Sequence, residues 1–145
     1  MPGIIVGTDG SAHSARALEW AVSEGALRQA PVSVLTVNSV PANPFTGSPT
    51  IVANDSAQQQ MLLEAAQELT GKVTSQLTGP PPPSVTVRAM TGYPAKELIE
   101  ASRDADLVVV GSRGGGGFAR LLLGSVSSQV TQHAHCPVVV VPGEK

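Results

Sequence analysis

The sequence predicts an α/β fold, a parallel sheet covered by helices. Three observations carry that prediction. Short apolar runs alternate with stretches of helical periodicity in the order β-α-β-α-β-α-β-loop-α-β, and strands joined by helices imply parallel pairing with right-handed crossovers. Aromatic residues are scarce, with Trp20, Tyr93, Phe45 and Phe118 the full set. The core must therefore be Val, Leu, Ile and Ala, the composition of a sheet buried on both faces. Finally, the run 106–111, DLVVVG, is apolar after its aspartate, which suits a central strand.

Each element follows from local pattern. GIIVGTD opens as a short buried strand ending in Gly7, Thr8 and Asp9. Residues 10–29 read as a helix, with Ser11 as N-cap and Leu18, Ala21, Val22 and Gly25 on one face. PVSVLTVNS is the second strand, with Pro31 at its first position, where no ladder donor is needed. Residues 39–54 hold three prolines, a glycine and two asparagines, so they read as a loop. The longest helix spans 55–77, capped by Asp55 or Ser56, with an apolar stripe of Leu62, Ala65, Ala66, Leu69, Val73 and Leu77. The four prolines 80–83 form a stiff connector. SVTVRAM is the third strand. GYPAKELIEASRD is a short helix with Pro94 in its first turn and Ala95, Leu98, Ile99 and Ser102 on one face. DLVVVG is the fourth strand, SVSSQVTQHA a last short helix, and CPVVVVPG a fifth strand between two prolines.

Composition excludes several functions. The 145 residues suit one domain, 1–145, large enough for a real core. The formal net charge of −2 offers no basic face for nucleic acid, and four aromatics give no base-stacking platform. No apolar run reaches membrane-span length, and the N-terminus lacks the order of a signal peptide. The single cysteine, Cys136, cannot form an internal disulfide. A cytoplasmic protein is expected.

The functional signal lies in residues 111–128, GSRGGGGFARLLLGSVSS. A glycine-rich turn after a strand, leading into a helix, is a recipe for binding phosphate. Glycine lets the backbone approach closely, and the first helical N–H groups lack intrahelical partners and carry partial positive charge. Ser125, Ser127 and Ser128 add hydroxyls at that end, and Arg113 and Arg120 add charge. Known phosphate loops do not fit. Gly124 is followed directly by Ser125, so there is no Walker lysine. The match Gly114, Gly116, Ala119 to a dinucleotide fingerprint is almost automatic in polyglycine and follows the fourth strand rather than the first. No Gly-x-Ser-x-Gly elbow is present. Asp9, Ser125 and Ser127 also have a purely structural reading as helix caps. HAHCP, 133–137, supplies too few ligands for a closed zinc site.

A longer spacing does fit: Gly111, two residues, Gly114, nine residues, Gly124, then Ser125. With IIVGTDGS, SARALEWA, TGYPAKELIEAS, DLVVVGSRG and CPVVVVP, this pattern resembles the universal stress protein family, in its ATP-binding branch. Gly115 to Gly117 fall in the nine-residue spacer, where the motif requires nothing.

The resemblance implies an open five-stranded parallel sheet in the order 3-2-1-4-5 with helices on both faces, an adenine nucleotide alpha hydrolase-like, Rossmann-like fold. In that order strands 1 and 4 are neighbours at a topological switch point, where ligands bind. It further implies Gly7, Thr8 and Asp9 on the nucleoside side, with Asp9 a partner of ribose or adenine, and Val37 meeting the adenine edge through its backbone. Gly111, Ser112, Arg113 and Gly114 would line the ribose and first phosphate, and Gly124, Ser125, Val126 and Ser127 the later phosphates. The implied ligands are ATP and a Mg²⁺ held mainly by the phosphates, since no protein metal cage is evident. The implied assembly is a homodimer through the Val138–Val141 edge strand, serving as a regulatory module in stress response. A slow ATPase or phosphotransferase, or the same crevice holding cyclic AMP, are the alternatives. Catalytic machinery is thin: no general base stands in the glycine region.

Overall fold

The computed structural model describes residues 3–9, 14–39, 55–112 and 125–142. Five strands are β1 (Ile4–Thr8), β2 (Val32–Ser39), β3 (Val85–Gly92), β4 (Leu107–Gly111) and β5 (Val138–Val141). Four helices are α1 (Ala15–Arg28), α2 (Asp55–Ser75), α3 (Pro94–Ala101) and α4 (Ser125–His133), with a 3-10 turn at Ser102–Asp104. All four strand pairings are parallel, and the sheet order is β3-β2-β1-β4-β5. That order is the one the family resemblance implies.

Side-chain alternation sends successive residues to opposite faces, and both faces are covered. Ile4, Val6, Val32, Val34 and Val109 pack with Ala17, Leu18, Ala21 and Val22 of α1 and Val73 of α2. On the other face, Leu35, Val108 and Val110 pack with Ala95 and Leu98 of α3 and Val130 of α4. Val108 and Val109 are both fully buried, which explains why the β4 sequence shows no polar alternation. Trp20 is partly buried against the first core, in a packing role.

Several local expectations need correction. Helix α1 starts at Ala15, with Ser14 in the cap position and no side-chain capping bond from it; Ser11 lies outside the described residues. Helix α1 ends at Arg28, and its C-cap Gln29 has a left-handed φ of 51°. This αL residue lets the Ala30 N–H bond Gly25 O at 2.9 Å and turns the chain toward β2. In α2, Ala65 is exposed, whereas Thr70, absent from the expected stripe, is buried. Its hydroxyl is satisfied by donating to Ala66 O at 2.7 Å, a bond within one helical turn that lets a threonine face the core. Ser39, where the expected second strand and the expected loop overlap, is the last residue of β2, paired with Gly92.

Ser102 fastens α3 to the approach of β5. Its side chain is 1% exposed. The hydroxyl donates to Ile99 O and accepts the His135 N–H at 2.9 Å.

Candidate functional site

The ladders end at different heights, and this opens the site. Pairing of β1 with β2 continues to Thr8↔Thr36, and pairing of β4 with β5 to Gly111↔Val141. Pairing of β1 with β4 stops at Val6↔Val109. The C-terminal ends of β1 and β4 therefore part, and the helices that follow them, α1 and α4, pack on opposite faces of the sheet. The open-sheet rule puts a ligand crevice there.

A cavity of about 260 Å³ occupies that gap. Its lining includes Gly7, Thr8 and Asp9 from the end of β1, Leu35 and Val37 from β2, and Val110 and Gly111 from β4. Ser14 before α1, Pro94 and Leu98 of α3, and Ser125, Val126 and Ser127 of α4 complete it. Gly7 and Ser127, 120 positions apart in sequence, thus line one cavity. The cavity is apolar along Leu35, Val37, Pro94, Leu98, Val110 and Val126. Its polar groups gather at Thr8, Asp9 and Ser14 on one side and at the serines of α4 on the other.

The polar residues are held in place. Thr8 Oγ1 and Ser14 Oγ share a 2.6 Å hydrogen bond, buried. Thr8, Asp9, Ser14 and Ser127 each make further interactions within the protein. Ser127 is 2% exposed and Ser125 exposed, so the first turn of α4 runs from solvent into the cavity wall. The N–H groups of that turn lack intrahelical partners and present positive dipole ends. Gly7 makes room for α3: a Cβ there would stand 2.9 Å from Leu98 Cδ1.

Backbone groups also face the gap. The Val32 N–H donates to Ser84 O, toward β3. Strand alternation then turns the N–H and C=O of Val37 toward β1. With β1 ending at Thr8, opposite Thr36, the Val37 carbonyl lies just past the last β1 pairing.

Of the residues the sequence nominates, Gly7, Thr8, Asp9, Val37, Gly111, Ser125, Val126 and Ser127 lie together in this lining. Ser112 does not: its N–H is bound to Val141 O at 2.9 Å, beside β5. Arg113, Gly114 and Gly124 lie outside the described residues. Sequence reading missed Ser14, Leu35, Pro94, Leu98 and Val110. Leu35 shares Val37's face by strand alternation and Val110 adjoins Gly111, so both had a signal. That α3 leans over the crevice had none. Among the described residues no three His, Cys, Asp or Glu side chains form a metal site, and no helix is long and apolar enough to cross a membrane.

An open parallel sheet in the order 3-2-1-4-5, with a cavity at its switch point facing a serine-rich helix start, defines a doubly wound α/β protein. The model of the universal stress protein family matches residues 2–142, and the chain belongs to that family. A universal stress protein of Mycolicibacterium smegmatis is 35% identical over 98% of this chain and 48% of its own length. The chain thus spans about half the length of such mycobacterial relatives. Among solved structures, the universal stress protein UspA of Lactobacillus plantarum superposes with a TM-score of 0.76 at 23% identity, covering 97% of each chain. A universal stress protein in complex with cAMP superposes with a TM-score of 0.68 at 26% identity, covering 99% of this chain and 98% of that one.

Proposed function

We propose that this chain binds an adenine nucleotide in the crevice between β1 and β4, as the ATP-binding, dimeric regulatory module of a stress response. One observation carries the reading: a single cavity combines Asp9, the apolar wall around Val37 and Leu98, and the start of α4 at Ser125. The chemistry suits a nucleotide part by part. The apolar wall accepts a flat base, and the Val37 carbonyl, aimed past the end of β1, accepts from an exocyclic amine. Asp9 accepts hydrogen bonds from ribose hydroxyls. Phosphates lie against the first N–H groups of α4 and the hydroxyls of Ser125 and Ser127. The cavity, at about 260 Å³, is near the small end of ligand sites. It suits the nucleoside part, with phosphates extending toward α4 and Gly111, where the glycine motif begins. Among the described lining residues there is no lysine or arginine; in this reading a triphosphate brings Mg²⁺ held by its own oxygens.

Titration calorimetry of nucleotide-free protein with ATP and Mg²⁺ tests the reading. Saturable binding is expected, weakened by Asp9→Asn and abolished by a bulky residue at Gly114; heat of dilution alone from folded wild-type protein would end it. The relative in complex with cAMP favours a second reading, in which the same crevice takes a cyclic monophosphate. Competition among ATP, ADP, AMP and cyclic AMP separates the two.

Strand β5 supports the dimer. It pairs with β4 alone, so its other edge is open among the described residues, and an apolar edge invites pairing with a second copy. Pro137 and Pro142 bound the ladder. Sedimentation at micromolar concentration should give a dimer; monomer only would exclude it.

A further inference from the structure

No described residue of helix α2 lines the crevice, yet its first turns are tied to β2, which gives Leu35 and Val37 to the base-side wall, and to β3, which leads into α3. Gln59 uses both ends of its amide on β3: Nε2 donates to Ala89 O at 3.0 Å, and Oε1 accepts from Thr91 Oγ1 at 2.9 Å. Both contacts are partly buried and join segments some 30 residues apart. The neighbouring Gln58 Oε1 accepts a longer bond, 3.4 Å, from Asn38 Nδ2. Asn38 follows Val37, and Thr91 stands three residues before Pro94; Val37 and Pro94 both line the crevice.

From these contacts we infer that Gln59 is a positioning residue for the base-side wall of the crevice, which deepens and rests on the nucleotide reading above. Three features support it. First, Ala89 carries its carbonyl on the outer edge of β3. The bond from Val32 N–H to Ser84 O turns Ser84, and by alternation Met90, toward β2, so Ala89 faces away. Among the described residues no strand pairs with that edge, and the Gln59 amide takes the place of one. Second, a hollow of about 280 Å³ lies between α2 and this strand, lined by Gln59, Gln60, Leu63 and Ala89. The two hydrogen bonds cross beside this hollow and add to the packing of Met90 in holding the end of β3. Third, β3 leads directly into α3 through Tyr93, its N-cap, and Pro94, its first residue. The direction in which β3 ends therefore sets where Pro94 and Leu98 stand over Gly7.

The test uses the full chain with Gln59→Met, which keeps the length and bulk of the side chain but neither hydrogen bond. Affinity is measured by calorimetry for ATP with Mg²⁺ and for adenosine, which has no phosphates. Both dissociation constants are expected to rise together, by about fivefold, the size of effect seen when a coupled residue outside a ligand shell is changed. The Leu98 methyl resonances of the ligand-free protein are expected to shift. Thr91→Val, which removes one of the two bonds, should give a smaller loss in the same direction and serves if Gln59→Met does not fold. Affinity within twofold of wild type for both ligands in a folded variant overturns the inference. So does a loss confined to ATP, since that places the effect on the phosphate side. If wild-type protein binds neither ligand, the nucleotide reading itself fails and takes this inference with it, an outcome visible before any variant is made.

Discussion

Replacing Thr36 with valine is expected to stabilise the protein. Thr36 lies in β2 between Thr8 of β1 and Ala89 of β3. Alternation puts its side chain on the face of Val32 and Val34, under α1 and α2, and none of it is exposed. Its Oγ1 has no hydrogen-bond partner among the described residues. A buried hydroxyl without a partner forfeits its hydration for nothing in return, at a cost of about 1–3 kcal/mol. Valine has the same shape and the same branching at Cβ, so it brings neither a void nor a new rotamer preference. A gain of about 1–2 kcal/mol is therefore expected, taking the lower part of that range because a threonine hydroxyl can rotate to its least costly position. For a domain near this size, each kcal/mol moves the melting temperature by about 2–4 °C. Thermal and urea unfolding followed by circular dichroism measure both, with an unchanged urea slope showing that the native state, not the denatured ensemble, has changed. Thr8→Val is the matched control: it removes the 2.6 Å bond to Ser14 and should cost about 1 kcal/mol. A Thr36→Val protein that melts at or below wild type would refute the reasoning and mean that the hydroxyl has a partner, such as a buried water.

Three further outcomes can be checked with the same instruments. Gly25→Ala should destabilise by about 1–3 kcal/mol through overpacking, despite alanine's better helix propensity, because the new Cβ would stand 2.4 Å from Val32 Cγ2 and 3.1 Å from Ala30 O; a melting temperature at or above wild type would contradict it. Ser102→Ala should cost about 1–3 kcal/mol, since the His135 N–H loses its acceptor, and Ser102→Thr should not be read as rescue because its extra methyl enters a buried site. Burial first, and then the Asp106 carboxylate, raise the Cys136 thiol above its ordinary pKa, against a smaller opposing backbone hydrogen bond at Val108. Its alkylation in the native state should thus be slower near neutral pH than in unfolded protein. The unfolded chain loses this proton first, so the thiol's contribution to stability is full below the ordinary thiol pKa and declines as pH rises through the folded value. Equal alkylation rates in native and denatured protein would count against the shift.

Much of the fold was legible because local signals agreed with one another. The runs IIVGT and LVVVG could only be strands buried on both faces, and Pro94 and Ser125 marked helix starts that the structure keeps. Part of the candidate crevice lining was legible for a different reason: Gly7 to Asp9 end a strand, and Gly111 and Ser125 mark a strand end and a helix start, which are local signals that need no knowledge of distant contacts. Local pattern failed where a residue's surroundings decide its role. Ala65 fits the apolar stripe of α2 yet is exposed, while Thr70 is buried because one bond to Ala66 O satisfies its hydroxyl. Gln59 looks like one of three polar glutamines on a helix surface, and nothing in its neighbourhood in sequence points to Ala89 or Thr91.

By itself, then, the sequence determined the class of fold, the identity and order of its elements, and the residue types at the strand and helix ends where a phosphate-bearing ligand is expected. Hydrophobic period, glycine and helix capping are short-range properties, and they are written within a few positions of where they act. Only the tertiary structure decided that β1 and β4 part after Val6 and Val109, that α3 stands over Gly7 through Leu98, and that Gln59 braces the end of β3. Those facts depend on how far each ladder runs and which helix packs on which strand. They are set by the fit of side chains brought together across the whole chain, which no local pattern records.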